Sequence, residues 1–190
     1  MSPTRAEQAA QTRRTVLDTA RRLFTEQGYD ATSLQLIADT MGVTKANVYY
    51  YFHSKADLLE ALLQESITAF DALLDAAAAL DDPRARRELL VDGFVAQVVA
   101  QRSLSPLDPP ARRHETLGPT LEAQATRGLH LLYGATPTPD ETAAYATATE
   151  LGPALRSLGH LPDAELRATL RRLCLRVLEV RVHKGPSPHR

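Results

Sequence analysis

The chain has 190 residues, 44% hydrophobic and 24% charged, with a net charge of −1; this is the balance of a water-soluble folded protein, with room for one mid-sized domain or a small domain fused to a larger one. No apolar run approaches the roughly 18 residues a membrane helix needs, and the opening MSPTRAEQAAQTRR lacks the apolar core of a signal peptide, so no membrane partner and a cytoplasmic location are expected. A lone cysteine, Cys174, excludes an internal disulfide, agrees with a reducing compartment and reads as a small core hydrophobe rather than a reactive thiol.

Residues 1–10 are polar and expected to fray, with Arg5, Arg13 and Arg14 in reach of phosphates. The first helix is predicted over 12–27, with Val16, Ala20, Leu23 and Phe24 as its apolar stripe and Gly28 just past its end. Residues 32–55 then read as two short helices joined by a tight turn. In the first, Leu34, Ile37, Ala38 and Met41 fall at i, i+3, i+4 and i+7. Thr32 and Gln35 have the spacing of a capping box, and Gly42 suits the positive φ that ends a helix. Thr44 suits the N-cap of the second helix, where Val48 and Phe52 point inward four residues apart. Lys45, Ala46, Asn47, Tyr49 and Tyr50 remain on or beside the outer face, with Tyr51 the most structural of the three consecutive tyrosines. A small residue flanked by hydrogen-bond donors suits the floor of a DNA major groove. The pattern is a helix-turn-helix and predicts a DNA binder. Charge leans the same way: 7 Lys and Arg against 5 Asp and Glu up to Lys55, net +2, and 15 against 18 beyond it, net −3.

Beyond the turn, Ser54 and Asp57 again have capping spacing and open a long helix to about residue 80, with Leu58, Leu62, Leu63, Ile67, Phe70, Leu73 and Leu74 on one stripe. Proline then marks a change of character: after Pro3 the next is Pro83, and ten more follow it. Helices are predicted over about 83–102 and, briefly, 111–116, separated by a Pro-rich connection at 103–110. Pro119 is placed at the first position of a helix reaching about residue 132. An alanine-rich helix opens at Pro139 or Asp140 and is interrupted or kinked at Gly152-Pro153. Pro162 opens the last helix, with Leu166, Leu170, Leu173, Cys174, Val177 and Leu178 on one side. No alternating strand pattern occurs, so the fold class is all-α with about nine helices.

Leu23-Phe24, Gly28-Tyr29, Thr32-Ser33, Ile37-Ala38, Gly42-Val43-Thr44, Tyr49, Phe52 and Ser54-Lys55 together resemble the TetR/AcrR family of bacterial transcriptional regulators, over roughly residues 10–63. Ala46 stands where many members carry glycine, and Tyr51 where histidine is frequent. The resemblance implies an N-terminal three-helix helix-turn-helix DNA-binding domain, 1–55, followed by a helical ligand-binding and dimerisation domain, 56–185, and a tail, 186–190. It also implies a homodimer through the last two long helices, about 139–158 and 162–182, packed as a four-helix bundle with a second subunit. The residues agree with that expectation: Ala143, Ala144, Ala146 and Ala148 permit close helix approach, and Leu175, Val180 and Val182 widen the apolar arc beyond one contact. A palindromic operator read by two-fold-related helices favours the same dimer.

The residues expected to contact DNA are Thr32, Ser33, Gln35, Thr44, Lys45, Asn47, Tyr49, Tyr50 and Lys55. Lys45 can donate to guanine or phosphate, Asn47 to an adenine edge, the tyrosine hydroxyls to phosphate, and Lys55 to a backbone phosphate. The start of the helix after Thr32 favours a phosphate through its free N–H groups. The resemblance further implies a small-molecule effector held among the helices of about 55–132, with Arg102, His114, Gln124, Arg127, His130 and Tyr133 as polar candidates to line the site. A wall rich in Leu, Val and Ala would prefer a largely apolar ligand. The expected function is a ligand-responsive repressor that binds operator DNA as a dimer and is released by that molecule. A helix-turn-helix acting through protein contacts, without ligand control, is the alternative. Catalytic signatures are missing: there is no Gly-x-Ser-x-Gly elbow, no phosphate-cradling glycine loop and no His-Glu-x-x-His helix. One cysteine and six scattered histidines form no metal pattern, so neither an enzyme nor a cofactor is expected.

Overall fold

The computed structural model describes residues 4–101 and 109–179. The described residues form ten helices and no strand: α1 (Arg5–Gln27), α2 (Leu34–Met41), α3 (Lys45–Tyr51), α4 (Lys55–Ala78), α5 (Pro83–Ala100), α6 (Pro109–Arg112), α7 (Leu117–Tyr133), α8 (Pro139–Thr149), α9 (Gly152–Leu158) and α10 (Asp163–Leu178). The all-α expectation holds. The tenth helix arises because the alanine-rich segment does not merely kink: Pro153 has no N–H, and its ring would meet the Thr149 carbonyl four residues back. The chain therefore leaves helical geometry at Glu150 and restarts at Gly152.

Several boundaries move for identifiable reasons. α1 begins at Arg5 rather than residue 12, because Thr4 and Glu7 form a reciprocal capping box: the Thr4 N–H donates to Glu7 Oε2 at 2.6 Å and the Glu7 N–H to Thr4 Oγ1 at 3.3 Å. α2 is capped by Ser33, whose hydroxyl accepts from the Leu36 N–H at 3.1 Å, and not by Thr32. The Thr32 hydroxyl instead donates to the Gly28 carbonyl at 2.9 Å, and Gln35 donates to Asp39 rather than closing a box. α7 starts two residues before Pro119, because His114 Nδ1 accepts from the N–H groups of Thr116 and Leu117 and so caps that end. Proline in a helix's first turn lacks only a donor that would go unpaired there. α10 ends at Leu178 with the Glu179 N–H returning to Leu175. The expected extension to 182, including Val180 and Val182, the connection at 103–108 and the tail at 186–190 lie outside the described residues.

The chain packs into two compact units. Unit 1 comprises residues up to Ala69 together with Gln101–Glu122, and unit 2 comprises Phe70–Ala100 with the chain from Ala123 onward. α4 is one helix whose residues divide between them. In unit 1 the core joins Val16, Ala20, Leu23 and Phe24 of α1 to Ile37, Val48 and the Leu58, Leu59, Leu62 and Leu63 face of α4, with Ala111 and Leu117 completing it. Each fully buried leucine or phenylalanine contributes about 1.5–3 kcal/mol relative to exposure. The start of α4 is tied by a second reciprocal cap. Asp57 accepts from the Ser54 hydroxyl at 2.6 Å and from the N–H groups of Ser54 and His53, while the Ser54 hydroxyl accepts from the Asp57 N–H at 3.0 Å.

In unit 2, α10 packs on α5 and α8 through Leu166, Leu170, Cys174 and Leu178. Leu173, expected on that inner side, lies at the stripe's edge and is 45% exposed. Arg86 of α5 binds three carbonyls on two chain segments: its guanidinium donates to Ala77 and Leu80 at the end of α4 and to Leu131 near the end of α7. These are carbonyls with no intrahelical donor or with a free lone pair, and a cation suits a helix C-terminus. Arg127–Asp75 and Arg171–Asp92 are ion pairs at the surface of this unit, worth little individually.

Replacing Arg86 with methionine, which keeps the stem but removes all three donations, is expected to destabilise unit 2 by about 2–3 kcal/mol, read by urea unfolding. The Asp57 cap carries a pH signature. The Ser54 hydroxyl bond, assisted by the N–H groups of Ser54 and His53, holds the Asp57 carboxyl below its ordinary 3.8 against the opposing effect of burial. A carboxyl depressed in the folded state adds stability above its unfolded value and loses it as pH falls through the folded one. Below about pH 3.8 the stability of Asp57→Asn should therefore fall less steeply than wild type; equal slopes would remove the cap from the account.

Candidate nucleic-acid interface

The geometry of α3 follows from its two ends. Gly42 ends α2 at φ 69°, ψ 29°, a left-handed conformation in which glycine carries no Cβ penalty, and the Val43 N–H returns to Ala38 at 3.0 Å. Thr44 then caps α3 by accepting from the Asn47 N–H at 3.3 Å. Phe52 leaves the helix in extended geometry, φ −144° and ψ 117°. Val48 is fully buried and Phe52 nearly so, so the inward pair of the sequence is the inward pair of the structure. On the other side Lys45, Ala46 and Asn47 are exposed, with Tyr49 50% and Tyr50 77% exposed. Tyr49 packs edge-on to His53 and Tyr50 edge-on to Tyr51, each at 5.0 Å between centroids, while Tyr51 itself leans on the core. The rings are thus steadied without being buried.

Four further residues complete or leave this face. Ser33 and Gln35 are exposed at the first turn of α2. Thr32 is 2% exposed, with its hydroxyl engaged by Gly28, so a direct phosphate contact from it is ruled out by burial. Lys55 is also turned inward. Its ammonium donates to the Tyr29 carbonyl at 2.6 Å and to the Asp30 carbonyl at 3.2 Å, and sits 4.3 Å from the Tyr29 ring centroid. Two of its three donors are engaged inside unit 1, which makes it a brace for the loop before α2 rather than a free phosphate clamp. Arg13 lies 4.9 Å above the Phe52 ring, a cation–π contact that places α1's charge behind α3. Neither long-range partner is visible in local spacing.

The six polar residues expected to line an effector site do not converge. Arg102 lies outside the described residues. His114 belongs to unit 1, where Nδ1 accepts two N–H groups, so its proton sits on Nε2 and is donated to the Ala56 carbonyl at 3.2 Å; it is a structural cap. In unit 2, Gln124 is buried, Arg127 pairs with Asp75, His130 is exposed, and the Tyr133 hydroxyl donates to the Leu178 carbonyl at 3.0 Å. Unit 2 does hold a cavity of about 40 Å³, walled by Phe70, Leu74, Phe94, Leu132, Tyr145 and Cys174 among others, and none of the five described candidates, His114, Gln124, Arg127, His130 and Tyr133, lines it. It reaches α8 and α10, beyond the 55–132 span expected from sequence. Sequence periodicity marks most of its wall only as core. Among the described residues no cluster of His, Cys, Asp or Glu suits a metal ion, and no helix is long and apolar enough to cross a membrane.

A short helix presented by a glycine turn, with a polar, tyrosine-bearing face outward and an apolar pair behind, is a helix-turn-helix of the DNA-reading kind. Residues 16–62 match the family model for bacterial regulatory proteins of the tetR family. The probable HTH-type transcriptional regulator ArpR of Pseudomonas putida is 34% identical over 100 residues, covering 51% of this chain and 48% of ArpR. The negative transcriptional regulator IcaR of the biofilm operon icaADBC in Staphylococcus aureus (strain Newman) is 44% identical over 45 residues, 24% of each chain. The matches thus span about half or less of these curated relatives. Among solved structures, the fatty acid degradation regulator FadR from Bacillus halodurans aligns over 94% of this chain and 97% of its own, with a TM-score of 0.67 at 20% identity, a likeness of fold. Residues 16–62, which hold the helix-turn-helix, thus match the tetR family, and the relatives matched here are named as transcriptional regulators.

If Lys55 is a brace, Lys55→Met should lower stability by about 1–3 kcal/mol, the range for hydrogen bonds to a charged group. Chemical denaturation at neutral pH reads this directly, and a change within error would return the ammonium to the list of free surface charges.

Proposed function

We propose that the chain is a sequence-specific DNA-binding transcriptional regulator that reads a palindromic operator as a homodimer and is released from it by a small, largely apolar molecule. The observation that carries the DNA reading is the outer face of α3: Lys45, Asn47, Tyr49 and Tyr50 exposed around Ala46, with Val48 and Phe52 locked behind them. Lys45 and Asn47 are the groups suited to base edges, and the tyrosine hydroxyls and the exposed start of α2 at Ser33 to phosphates. The division of labour between a DNA-binding part, residues 1–55, and an effector and dimer part beyond it belongs to the same proposal. Repression is supported by the relative IcaR, which is named a negative regulator. Dimerisation through α8–α10 is supported by Leu173, 45% exposed at the edge of the buried stripe of α10, and by exposed Ala143 and Ala146 on α8.

Ligand control is supported by the continuity of α4. Its first half carries Leu58, Leu59 and Leu62 under the helix-turn-helix, and its last turns carry Phe70 and Leu74 in the wall of the cavity. A ligand that binds one arrangement of this helix better than another shifts the equilibrium by that difference in affinity and no more.

Binding of the purified protein to DNA fragments from around its own gene, with a salt titration, tests the reading. A saturable shift on one fragment, resisting competitor DNA and weakening steeply with salt, is expected. Lys45→Ala and Tyr49→Phe should each weaken it by about 1–3 kcal/mol if a base pair is read. Unchanged affinity in both would move the reading face elsewhere, and binding no better than to competitor on every fragment would favour a helix-turn-helix used for protein contacts.

A further inference from the structure

Lys45, Tyr49 and His53 stand four residues apart and form one ridge, since residues at i and i+4 are neighbours on a helix surface. The helix α3 ends at Tyr51, yet the ridge continues past it: the His53 ring meets the Tyr49 ring edge-on, 5.0 Å between centroids. All three residues are exposed. The backbone under His53 is fixed from α4, where Asp57 accepts its N–H at 3.0 Å. At 1.5 Å per residue the ridge is about 12 Å long, close to the roughly 12 Å width of the B-DNA major groove. A ridge of that length with Lys45 at one wall of the groove brings His53 to the phosphates of the other.

The charged groups around His53 are otherwise engaged. From α4, the Lys55 ammonium donates to the carbonyls of Tyr29 and Asp30, and the Asp57 oxygens accept from the Ser54 hydroxyl and from the N–H groups of Ser54 and His53. From α1, Arg13 lies 4.9 Å over the Phe52 ring, behind α3. From α3, Tyr49 meets the imidazole with a ring edge, and Lys45 stands at the far end of the ridge. An imidazole presents two N–H donors when protonated and one when neutral, and histidine is the side chain whose charge changes between about pH 5 and 8.

We infer that His53 is a DNA-phosphate contact, made by its protonated ring at the end of the ridge that Lys45 begins, so that the hold on duplex DNA tightens as pH falls. The inference rests on the reading of α3 as the DNA-contacting helix, and it adds to that reading one contact residue and a response to pH.

A phosphate contact carries no sequence information, so a fluorescent duplex of mixed sequence tests it without the operator. Its affinity for the full chain is titrated by anisotropy between about 50 and 200 mM salt, at about pH 5.5 and about pH 8. One phosphate contact steepens the slope of log affinity against log salt by about 0.9. Wild type is expected to show that steepening at the lower pH, which amounts to a roughly 3-fold greater loss of affinity across this salt range. In His53→Gln the slope should match the wild-type value of the higher pH at both conditions. In His53→Lys the steeper slope should appear at both. Thermal unfolding of each variant checks that the fold is kept. Equal wild-type slopes at the two pH values would overturn the inference while leaving DNA binding in place. So would a pH-dependent slope that survives in His53→Gln, which assigns it to another group, or a shallow slope in His53→Lys, which puts the position out of reach of the backbone. No binding of the duplex by wild type at either pH would remove the DNA reading itself, and the inference with it.

Discussion

Burial of Val48 and Phe52 behind α3 is the contact on which the exposed groups of that helix depend. Seven residues make barely two turns, and an isolated helix of that length does not persist in water, because nucleation is unfavourable and few hydrogen bonds follow it. Its stability is therefore borrowed from the core it covers. Val48 and Phe52 reach the same cluster as Phe24, Ile37 and Leu58, so three other helices fix the direction in which Lys45, Asn47, Tyr49 and Tyr50 point. Gly42 and Thr44 set the angle of entry, and neither would hold α3 in place without the apolar pair.

The supports around this helix act through chain segments far apart in sequence. Lys55 binds the carbonyls of Tyr29 and Asp30, and Arg13 covers the Phe52 ring. Both cations do structural work in the half of the protein that has a net positive charge, so charge counting overstates what is left for DNA. The opposite correction applies to the outer face. The tyrosines there are steadied by edge contacts with His53 and Tyr51, which limits the rotamer freedom lost when a partner engages them.

In unit 2 the pattern is different, because polar side chains serve helix ends while apolar ones surround a cavity. Arg86 gathers the ends of α4 and α7, and Tyr133 reaches the end of α10. The second assignment engages at a helix end a residue, Tyr133, whose chemistry alone had made it a candidate to line an effector site. The cavity is walled mostly by hydrocarbon, with Tyr145, Thr149 and Cys174 set among apolar side chains.

Local sequence determined the elements whose cause lies within a few residues. The apolar periods of α1, α2 and α4, the turn at Gly42, the cap at Thr44, the Ser54–Asp57 box and the inward pair at Val48 and Phe52 all follow from spacing, since capping and amphipathicity act over one or two turns. The Thr4–Glu7 box was equally legible and extends α1 for the same reason. Tertiary structure alone decided where donors and cations find their partners. Thr32 turns to Gly28, His114 to Ala56 and Lys55 to Tyr29, and Gly128 yields its side chain to Tyr145. Such pairings depend on which helices meet and at what depth. A polar residue read from sequence is defined by its chemistry, but whether it faces a ligand or closes a helix end is set by the segment packed against it.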